Sequence, residues 1–375
     1  MTTHPGRSGR DVRKNPLGMN VLLTGSEGYI GSVLGPYLLR RGHEVIGLDT
    51  GFHRVGWLVN AVDGAPAWRN KDTRNIEAAD LAGFDAVVHL ADLSNDPVGD
   101  LNADVTVEIN HRATVRVAEL AKEAGVRRFV YMSSCSIYGA SGDTDNTETS
   151  PLEPQTAYAE CKILVERDIH ELCDDGFGAT YLRNATAFGV SPRMRFDLVV
   201  NNLAGYAWTD RVLRMESDGT PWRPLVHILD ISQAVACVLD APDDVVHDEA
   251  FNVGDNAQNY QIREIAEIIS RTFPECDLTI GDSSADTRNY RANFDKINTR
   301  LPGFRCRFDV AAGAEELLRT FEQIGLTRDL FAFRGHTRIK QIRHLLETGQ
   351  IDNRYFWTTS SNRHGSQDTQ RKNAR

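Results

Sequence analysis

The sequence predicts an α/β fold, a doubly wound parallel sheet followed by a smaller C-terminal region. Short apolar runs alternate with amphipathic helical patterns as far as about residue 185, which is typical of a parallel sheet covered by helices on both faces. Glycines, carboxylates and hydroxyls follow the ends of several runs, where such sheets bind ligands. The sequence therefore predicts a binding cleft at the carboxyl ends of the strands.

The predicted elements follow in order along the chain. Strands are expected at 19–24, 44–49, 85–91, 127–133 and 179–184, with helices at 29–41, 75–81, 101–124 and 156–174. After residue 185 prolines interrupt the pattern, and helices are expected near 195–208, 230–240, 261–272, 310–324 and 328–348. The apolar runs 224–228 and 251–253 are expected to return to the main sheet.

These elements divide the chain into five segments. They are a flexible N-terminal extension (1–18), a first domain (19–185), a smaller second region (186–327) with parts near 224–240 and 251–254 in the core, a helical C-terminal extension (328–358) and a flexible tail (359–375). The last amphipathic helix, with Ile339, Ile342, Leu345 and Leu346, is expected to dock on the core or on a second subunit.

Composition and charge exclude several classes of protein. The 375 residues carry a net charge of −10, which argues against a protein that binds nucleic-acid phosphates. No apolar run approaches the ~18 residues of a membrane span, and residues 1–18 lack the apolar centre of a secretory signal. Six scattered cysteines without CxxC spacing indicate reduced thiols in the cytoplasm rather than a disulfide frame or a metal site.

A glycine-rich turn joins the first strand to the first helix. The run Thr24-Gly25-Ser26-Glu27-Gly28-Tyr29-Ile30-Gly31 follows apolar residues 21–23 and precedes a helical pattern. Glycines there leave room for a pyrophosphate, and the helix N-terminus offers it free N–H groups. The spacing is GxxGxxG rather than the GxGxxG dehydrogenase fingerprint, so an ordinary glycine-rich turn stays an alternative.

The second strand ends on a carboxylate at the distance that a ribose-binding acid requires. Asp49 lies 18 residues after Gly31. A carboxylate there accepts hydrogen bonds from both ribose hydroxyls and repels a 2′-phosphate, which favours NAD over NADP. Arg54 follows closely and softens that preference, and a role for Asp49 as a helix or turn cap is the alternative.

Three later residues form a predicted acid–base group. Tyr158 and Lys162 are one helical turn apart and therefore share a face of a helix that begins 24 residues after Ser134. The ordinary pKa of tyrosine, about 10, makes it a poor base at pH 7, and a lysine ammonium beside it favours the phenolate. Ser134 ends a predicted strand, from which its hydroxyl can hydrogen-bond the same substrate oxygen.

With these motifs the chain resembles the extended short-chain dehydrogenases/reductases, in particular the NAD-dependent nucleotide-sugar epimerase/dehydratase family. The resemblance covers about 20 to 325 and rests on GSEGYIG at 25–31, KDTRN at 71–75, HLA at 89–91, SSCSIYG at 133–139 and YAECK at 158–162, with Asn110 and Thr114. It implies a Rossmann domain at 19–185 and a substrate-binding region at 186–327. The cofactor-binding residues that it implies are Gly25, Glu27, Gly28, Tyr29, Ile30, Gly31, Asp49, Asp72, Thr73, Leu90, Ala91, Asn110, Tyr158 and Lys162.

The resemblance also implies a site for a nucleoside-diphosphate sugar. Asn202, Arg223 and Arg288 match family positions that hold the diphosphate, a task that suits guanidinium groups because they bind phosphate through two hydrogen bonds. Each arginine can instead be a surface residue. The family's 4,6-dehydratases carry an acidic pair directly after the serine or threonine, where this chain has Cys135 and Ser136, which argues against 4,6-dehydration.

The sequence thus leads to three hypotheses. The first is an NAD-dependent epimerase of a nucleoside-diphosphate sugar, acting at C4 through a transient 4-keto intermediate with NAD regenerated; Ser134, Tyr158 and Lys162 would be catalytic. The second is a nucleotide-sugar 4-ketoreductase with the same three residues. The third is a non-catalytic, NAD-bound binding protein. A homodimer through the helices near 101–124 and 156–174 is expected from the resemblance.

Overall fold

The computed structural model describes residues 18–59, 64–94, 96–142, 144–283 and 289–358. Its strands are β1 (Asn20–Thr24), β2 (Glu44–Asp49), β3 (Ala67–Asn70), β4 (Ala86–His89), β5 (Arg128–Ser134), β6 (Asp145–Asn146), β7 (Gly178–Asn184), β8 (Thr186–Phe188), β9 (Val212–Ser217), β10 (Trp222–His227), β11 (Glu249–Val253), β12 (Asn259–Gln261), β13 (Asp277–Ser283) and β14 (Arg291–Ala292). Seven of them form one parallel sheet in the order β11-β7-β5-β4-β1-β2-β3. The predicted doubly wound α/β fold is confirmed.

Helices connect and cover these strands. They are α1 (Gly31–Arg40), α2 (Ala78–Leu81), α3 (Asp96–Gly99), α4 (Ala103–Thr106), α5 (Thr114–Glu123), α6 (Ala157–His170), α7 (Val199–Thr209), α8 (Ile228–Asp240), α9 (Asp243–Val246), α10 (Ile262–Thr272), α11 (Asp295–Arg300), α12 (Val310–Ile324), α13 (Arg328–Ala332) and α14 (Arg338–Glu347). A π-helical segment, Val107–Ala113, joins α4 to α5, so one long helical run occupies the predicted 101–124 segment. No helix among the described residues is long and apolar enough to cross a membrane.

Alternate residues of the main strands enter two separate cores, as the pleat requires. Leu23 and Val88 join a core with α1 and α8, whereas Leu22 and Val87 join a second core with α5 and α6. These strands are almost wholly apolar because helices cover both faces of the sheet. The carboxyl ends of β1, β2, β4 and β5 consequently open at one edge.

The second region packs over that edge. A small sheet in the order β12-β10-β8 and the helices α7, α10 and α12 enclose a third apolar core that includes Phe188, Leu317 and Phe321. The run 251–253 joins the main sheet in β11, as expected. The run 224–228 was also expected there, but it lies in β10 of the small sheet, because β11 already occupies the edge beside β7. The helix that follows it, α8, returns to the main core.

The C-terminal segment 328–358, here called the C-terminal strap, folds back over the first domain. The single helix expected at 328–348 is broken between α13 and α14 by a short 3₁₀ turn, Arg334–His336. Gly335 sits there against the carbonyl oxygen of Val55, where a side chain would collide. Ile342, Leu345 and Tyr355 of the strap then pack with Phe52 and Ile109. The last helix therefore docks on the core of its own chain.

Candidate active site

One large cleft, about 680 Å³ in volume, opens at the carboxyl ends of the parallel strands. It brings together most of the residues that the sequence predicts for the site. Those that line it are Gly25, Gly28, Tyr29, Ile30, Gly31, Asp49, Asp72, Thr73, Leu90, Ala91, Ser134, Tyr158, Lys162, Asn202 and Arg223. Glu27 and Asn110 do not line it, and Arg288 lies outside the described residues.

The glycine loop between β1 and α1 has no room for side chains at two places. Gly25 has a φ of +68°, and a Cβ there would lie 2.8 Å from the carbonyl carbon and oxygen of Leu90. A Cβ at Gly31 would collide with the carbonyl oxygen of Gly25. The loop therefore keeps its backbone close to the cleft at the start of α1, where a dinucleotide pyrophosphate fits.

Asp49 ends β2 beside this loop. Its carboxylate accepts hydrogen bonds from the N–H of Glu27 (3.0 Å) and of Gly51 (2.7 Å). Burial raises the pKa of Asp49, although these two N–H groups counteract part of that effect. The Glu27 side chain turns to Arg54 (2.9 Å) and Arg193 (3.1 Å), so only its backbone supports Asp49.

Tyr29 connects the glycine loop to the second region. Its hydroxyl donates to the carbonyl oxygen of Gly189 at 2.7 Å and accepts from the side-chain amide of Asn201 at 3.1 Å. Burial raises the pKa of Tyr29 well above its ordinary range, so the hydroxyl stays protonated and holds the two regions together.

Two further segments complete the cofactor side of the cleft. The N–H groups of Leu90 and Ala91 both donate to Oγ1 of Thr24, at 3.2 and 3.3 Å, which fixes the chain after β4 against the glycine loop. Asn110, in the π-helical segment, holds that same chain from behind, because its amide exchanges two hydrogen bonds with the backbone of Leu93. Asn110 therefore supports the cleft rather than facing it.

The predicted acid–base residues lie together at one end of the cleft, here called the acid–base end. Thr156 caps α6 by accepting from the N–H of Ala159 (3.2 Å), which places Tyr158 in the first helical turn. The ammonium of Lys162 lies 5.4 Å from the centre of the Tyr158 ring. Ser134 ends β5 with its Oγ accepting from the N–H of Ser136 at 3.1 Å.

A residue that the sequence did not predict, Asp92, also lies at this end. Its carboxylate forms an ion pair with Lys162, whose Nζ also donates to the carbonyl oxygen of Met132 at 2.5 Å. The two paired side chains are only 5% and 3% exposed. Burial is the largest single effect and lowers the pKa of Lys162, but the charge and hydrogen bond of Asp92, together with Tyr158 and Glu166, outweigh it, so that pKa is raised. The signal was present, since Asp92 directly follows His89-Leu90-Ala91 at a strand end.

The opposite wall of the cleft belongs to the second region. Asn202 lies on α7, where its side-chain amide donates to the carbonyl oxygen of Phe196 at 2.7 Å. Arg223 is buried on β10, with its guanidinium carbon 5.7 Å from the centre of the Tyr290 ring. A buried cation of the second region thus lines the same cleft as the acid–base residues.

Three more residues on the cleft wall carry no sequence signal. They are His53, which follows β2, Arg195, which precedes α7, and Arg338, which begins α14 in the C-terminal strap. Arg195 binds the Asp197 carboxylate through two hydrogen bonds of 2.9 and 3.1 Å. The sequence does not predict them as site residues because they lie far apart in the chain and come together only in the folded structure.

Comparison with known proteins identifies the family. The NAD dependent epimerase/dehydratase family matches residues 21–254. A UDP-glucose 4-epimerase of Bacillus subtilis is 26% identical over 282 residues, covering 68% of this chain and 82% of that protein. A dTDP-glucose 4,6-dehydratase from Streptomyces venezuelae, solved with NAD, has a TM-score of 0.70 at 25% identity and covers 83% of this chain and 100% of its own.

A UDP-glucuronic acid 4-epimerase from Bacillus cereus, solved with UDP-glucuronic acid and NAD, shares the fold, with a TM-score of 0.69. It is 22% identical and covers 82% of this chain and 100% of its own. Epimerases and dehydratases therefore both resemble this chain. The family match spans most of the first domain and includes the glycine loop and the acid–base residues. The chain belongs to the NAD-dependent epimerase/dehydratase family, and NAD is its cofactor.

Proposed function

We propose that this protein epimerises a nucleoside-diphosphate sugar at C4, with NAD regenerated in each turnover. The observation that carries the proposal is that Ser134, Tyr158 and Lys162 line the same cleft as the glycine loop and Asp49. Bound NAD supplies the acceptor and later the donor of the hydride at the sugar carbon. The curated relative from Bacillus subtilis is named for a 4-epimerase, which supports this reaction.

The proposed chemistry of the protein side is proton transfer. Tyr158 takes the proton of the sugar hydroxyl as the carbonyl forms at C4. It returns the proton after the keto sugar has rotated to present its other face. Ser134 donates a hydrogen bond to that oxygen. Lys162 keeps a positive charge beside the Tyr158 ring, because its neighbours, Asp92 foremost, raise its pKa. No net oxidation of the sugar results.

The residues after Ser134 argue against 4,6-dehydration. That reaction needs an acid and a base at the sugar C6, and this chain has Cys135 and Ser136 where such a pair would stand. Cys135 is fully buried, its thiol donates to the carbonyl oxygen of Arg183 at 3.1 Å, and burial raises its pKa far above the ordinary range. Ser136 lines the cleft but carries no ionisable group. Neither side chain can expel water from C6.

Arg223 is the proposed anchor of the substrate diphosphate. An epimerase must let the keto sugar turn while the rest of the molecule stays bound, so a firm hold on the diphosphate is part of the mechanism. Arg223 offers a buried guanidinium in the same cleft as Tyr158, a suitable partner for a diphosphate. Asn202 lies on the same side. That Arg288 joins them, and that the chain forms a homodimer, remain predictions from the resemblance.

The experiment that tests the function starts from protein purified without added cofactor. We expect denaturation to release NAD, and we expect the native protein to invert C4 of a nucleotide sugar in an NMR screen with no cofactor supplied. If turnover required stoichiometric reduced cofactor, the 4-ketoreductase hypothesis would be favoured over the epimerase. NAD release without turnover of any nucleotide sugar would favour a binding protein.

A further inference from the structure

The C-terminal strap is attached to the residues that frame the Asp49 end of the cleft. Gln341 donates to the carbonyl oxygen of Phe52 at 3.1 Å, and Trp357 donates to that of Thr50 at 2.7 Å. Both acceptors lie in the turn that follows β2 and Asp49. The strap therefore forms part of the cleft wall here, and Arg338 and Ile339 line the cleft directly.

A second attachment lies beside Asp72. Arg74 binds the Asp72 carboxylate at 2.6 Å and also donates to the carbonyl oxygen of Arg354 at 2.6 Å. Its guanidinium carbon lies 3.6 Å from the centre of the Phe356 ring. The end of the cleft that holds Asp49 and Asp72 is thus enclosed by the far C-terminus of the described chain.

Arg338 is the most unusual side chain of the strap. It is only 3% exposed, and its Nη1 is buried without a hydrogen-bond partner among the described residues. An unpaired donor on a buried cation is costly unless an anion binds there. Burial lowers the pKa of Arg338 to about 9, and the neighbouring Arg195 adds to that effect, so the group is still a cation at pH 7.

The charged groups around Arg338 do not take up this donor. The Asp197 carboxylate binds the side chain of Arg195 and accepts from the backbone N–H of Arg338 at 3.4 Å. Asp49 is held by two backbone N–H groups. His53, also on the wall, is kept neutral because burial and the charge of Arg338 lower its pKa well below 6.5. Arg338 is therefore a cation in the cleft wall whose Nη1 lacks an acceptor among the described residues.

From this arrangement we infer that Arg338, which lines the same cleft as the glycine loop, binds the diphosphate of NAD, so that the C-terminal strap is part of the cofactor site. The glycine loop offers backbone N–H groups, and Arg338 offers charged donors to the same anion. The diphosphate is favoured over a ribose 2′-phosphate because the Asp49 carboxylate lines the cleft where the ribose hydroxyls are expected and would repel the latter. The inference rests on NAD binding and not on the sugar reaction.

The test compares Arg338→Met with Lys340→Met, a matched loss of charge at an exposed position of the same helix. Protein stripped of cofactor is titrated with NAD, with NADP and with adenosine, which has no phosphate. We expect Arg338→Met to lower the affinity for NAD by about 10- to 100-fold, the range for a lost hydrogen bond to a charged group. The affinity of Arg338→Met for adenosine should stay within about twofold of the wild-type value. The affinity of Lys340→Met for NAD should also stay within about twofold of wild type.

Thermal unfolding separates binding from a structural role. We expect the Tm of stripped Arg338→Met to equal or exceed that of the wild type, because the variant removes a buried unpaired charge, while the Tm increase produced by NAD shrinks. Arg338→Lys, which keeps the charge without the fork of donors, should lose less affinity than Arg338→Met. Unchanged NAD affinity in Arg338→Met, an effect confined to NADP, or an equal effect of Lys340→Met would each overturn the inference. None of these readouts depends on whether any sugar is turned over.

Discussion

The buried cations at the two ends of the cleft differ in whether a carboxylate binds their side chain. At the acid–base end, the cation Lys162 is closed into an ion pair with Asp92 and bound to the carbonyl of Met132. At the end covered by the C-terminal strap, the buried Nη1 of Arg338 has no partner among the residues that the structure describes. The protein thus fixes the position of Lys162 through its own residues, while it leaves the Nη1 donor of Arg338 unpaired for the cofactor. A buried cation thus helps to position the catalytic groups at the acid–base end and binds the cofactor at the end covered by the C-terminal strap.

The largest expected effect is at the acid–base end. Tyr158→Phe removes the hydroxyl that exchanges the proton and should lower kcat by about 10³-fold or more, since positioned acid–base groups contribute about 10²- to 10⁴-fold. The amount of NAD released per chain should not change, because the binding end is untouched. Steady-state kinetics and the denaturation assay measure the two quantities.

Tyr206→Phe is the control for that change, because Tyr206 is 37% exposed and lies outside the cleft lining. It should keep wild-type kcat. If Tyr158→Phe kept more than a tenth of the wild-type kcat, Tyr158 would not be the residue that transfers the proton.

The second prediction breaks the ion pair. Asp92→Asn leaves Lys162 as a buried cation without its counter-charge, and we expect the free energy of unfolding to fall by about 3–5 kcal/mol. The pKa of Lys162, which Asp92 helps to hold above the ordinary value, should then fall, because burial is the largest effect on it. Activity of the variant should consequently decline at an alkaline pH where the wild type is still fully active.

Denaturant titration and a pH profile of kcat measure these two effects of Asp92→Asn. Asp100→Asn, an exposed carboxylate on the same segment, should change neither. An alkaline limb that coincides with that of the wild type would mean that Asp92 does not tune Lys162.

The smallest expected effect concerns the strap. His336 lies in its 3₁₀ turn, fully buried between Phe196 and Phe333, and burial lowers its pKa to about 4. Between pH 6.5 and 4 the unfolded chain binds more protons at this position than the folded chain, so stability falls as the pH falls. The contribution of His336 to this loss of stability should be about 1.5 kcal/mol between pH 6.5 and 5.

Equilibrium unfolding of His336→Phe at a series of pH values checks this. The variant keeps the aromatic packing and should lose less stability on acidification than the wild type. His344→Phe, a change at a partly exposed position of α14, should follow the wild type. Parallel curves for wild type and His336→Phe would show that this histidine titrates normally in the folded protein.

The same contrast explains what the sequence could predict. The glycine loop, Asp49 and the pair Tyr158 and Lys162 are encoded by short spacings, because a strand, a tight turn and one helical turn fix their relative positions locally. Asp92 was recognisable as a carboxylate at a strand end, but its partner lies 70 residues further along the chain. Only the sheet topology brings the two together.

The strap shows the limit more clearly. Its periodicity predicted an amphipathic helix with Ile342 and Leu345 on the apolar face, and both are buried. The sequence did not predict the surface on which that face docks, because the docking contact joins Gln341 to Phe52, which are 289 residues apart in the chain. The break at Gly335 depends on contact with Val55, which no local pattern encodes. The role of Arg338 follows from that docking and was out of reach of sequence analysis.

The most direct test of the proposed reaction follows the hydrogen at C4. A nucleotide sugar that turns over in the screen is prepared with deuterium at C4 and incubated with the purified protein without added cofactor. Return of the same hydride to the opposite face predicts the C4-inverted product with its deuterium retained, as read by NMR and mass spectrometry. Product that has lost the deuterium, or that forms only with added reduced cofactor, would contradict internal recycling of NAD.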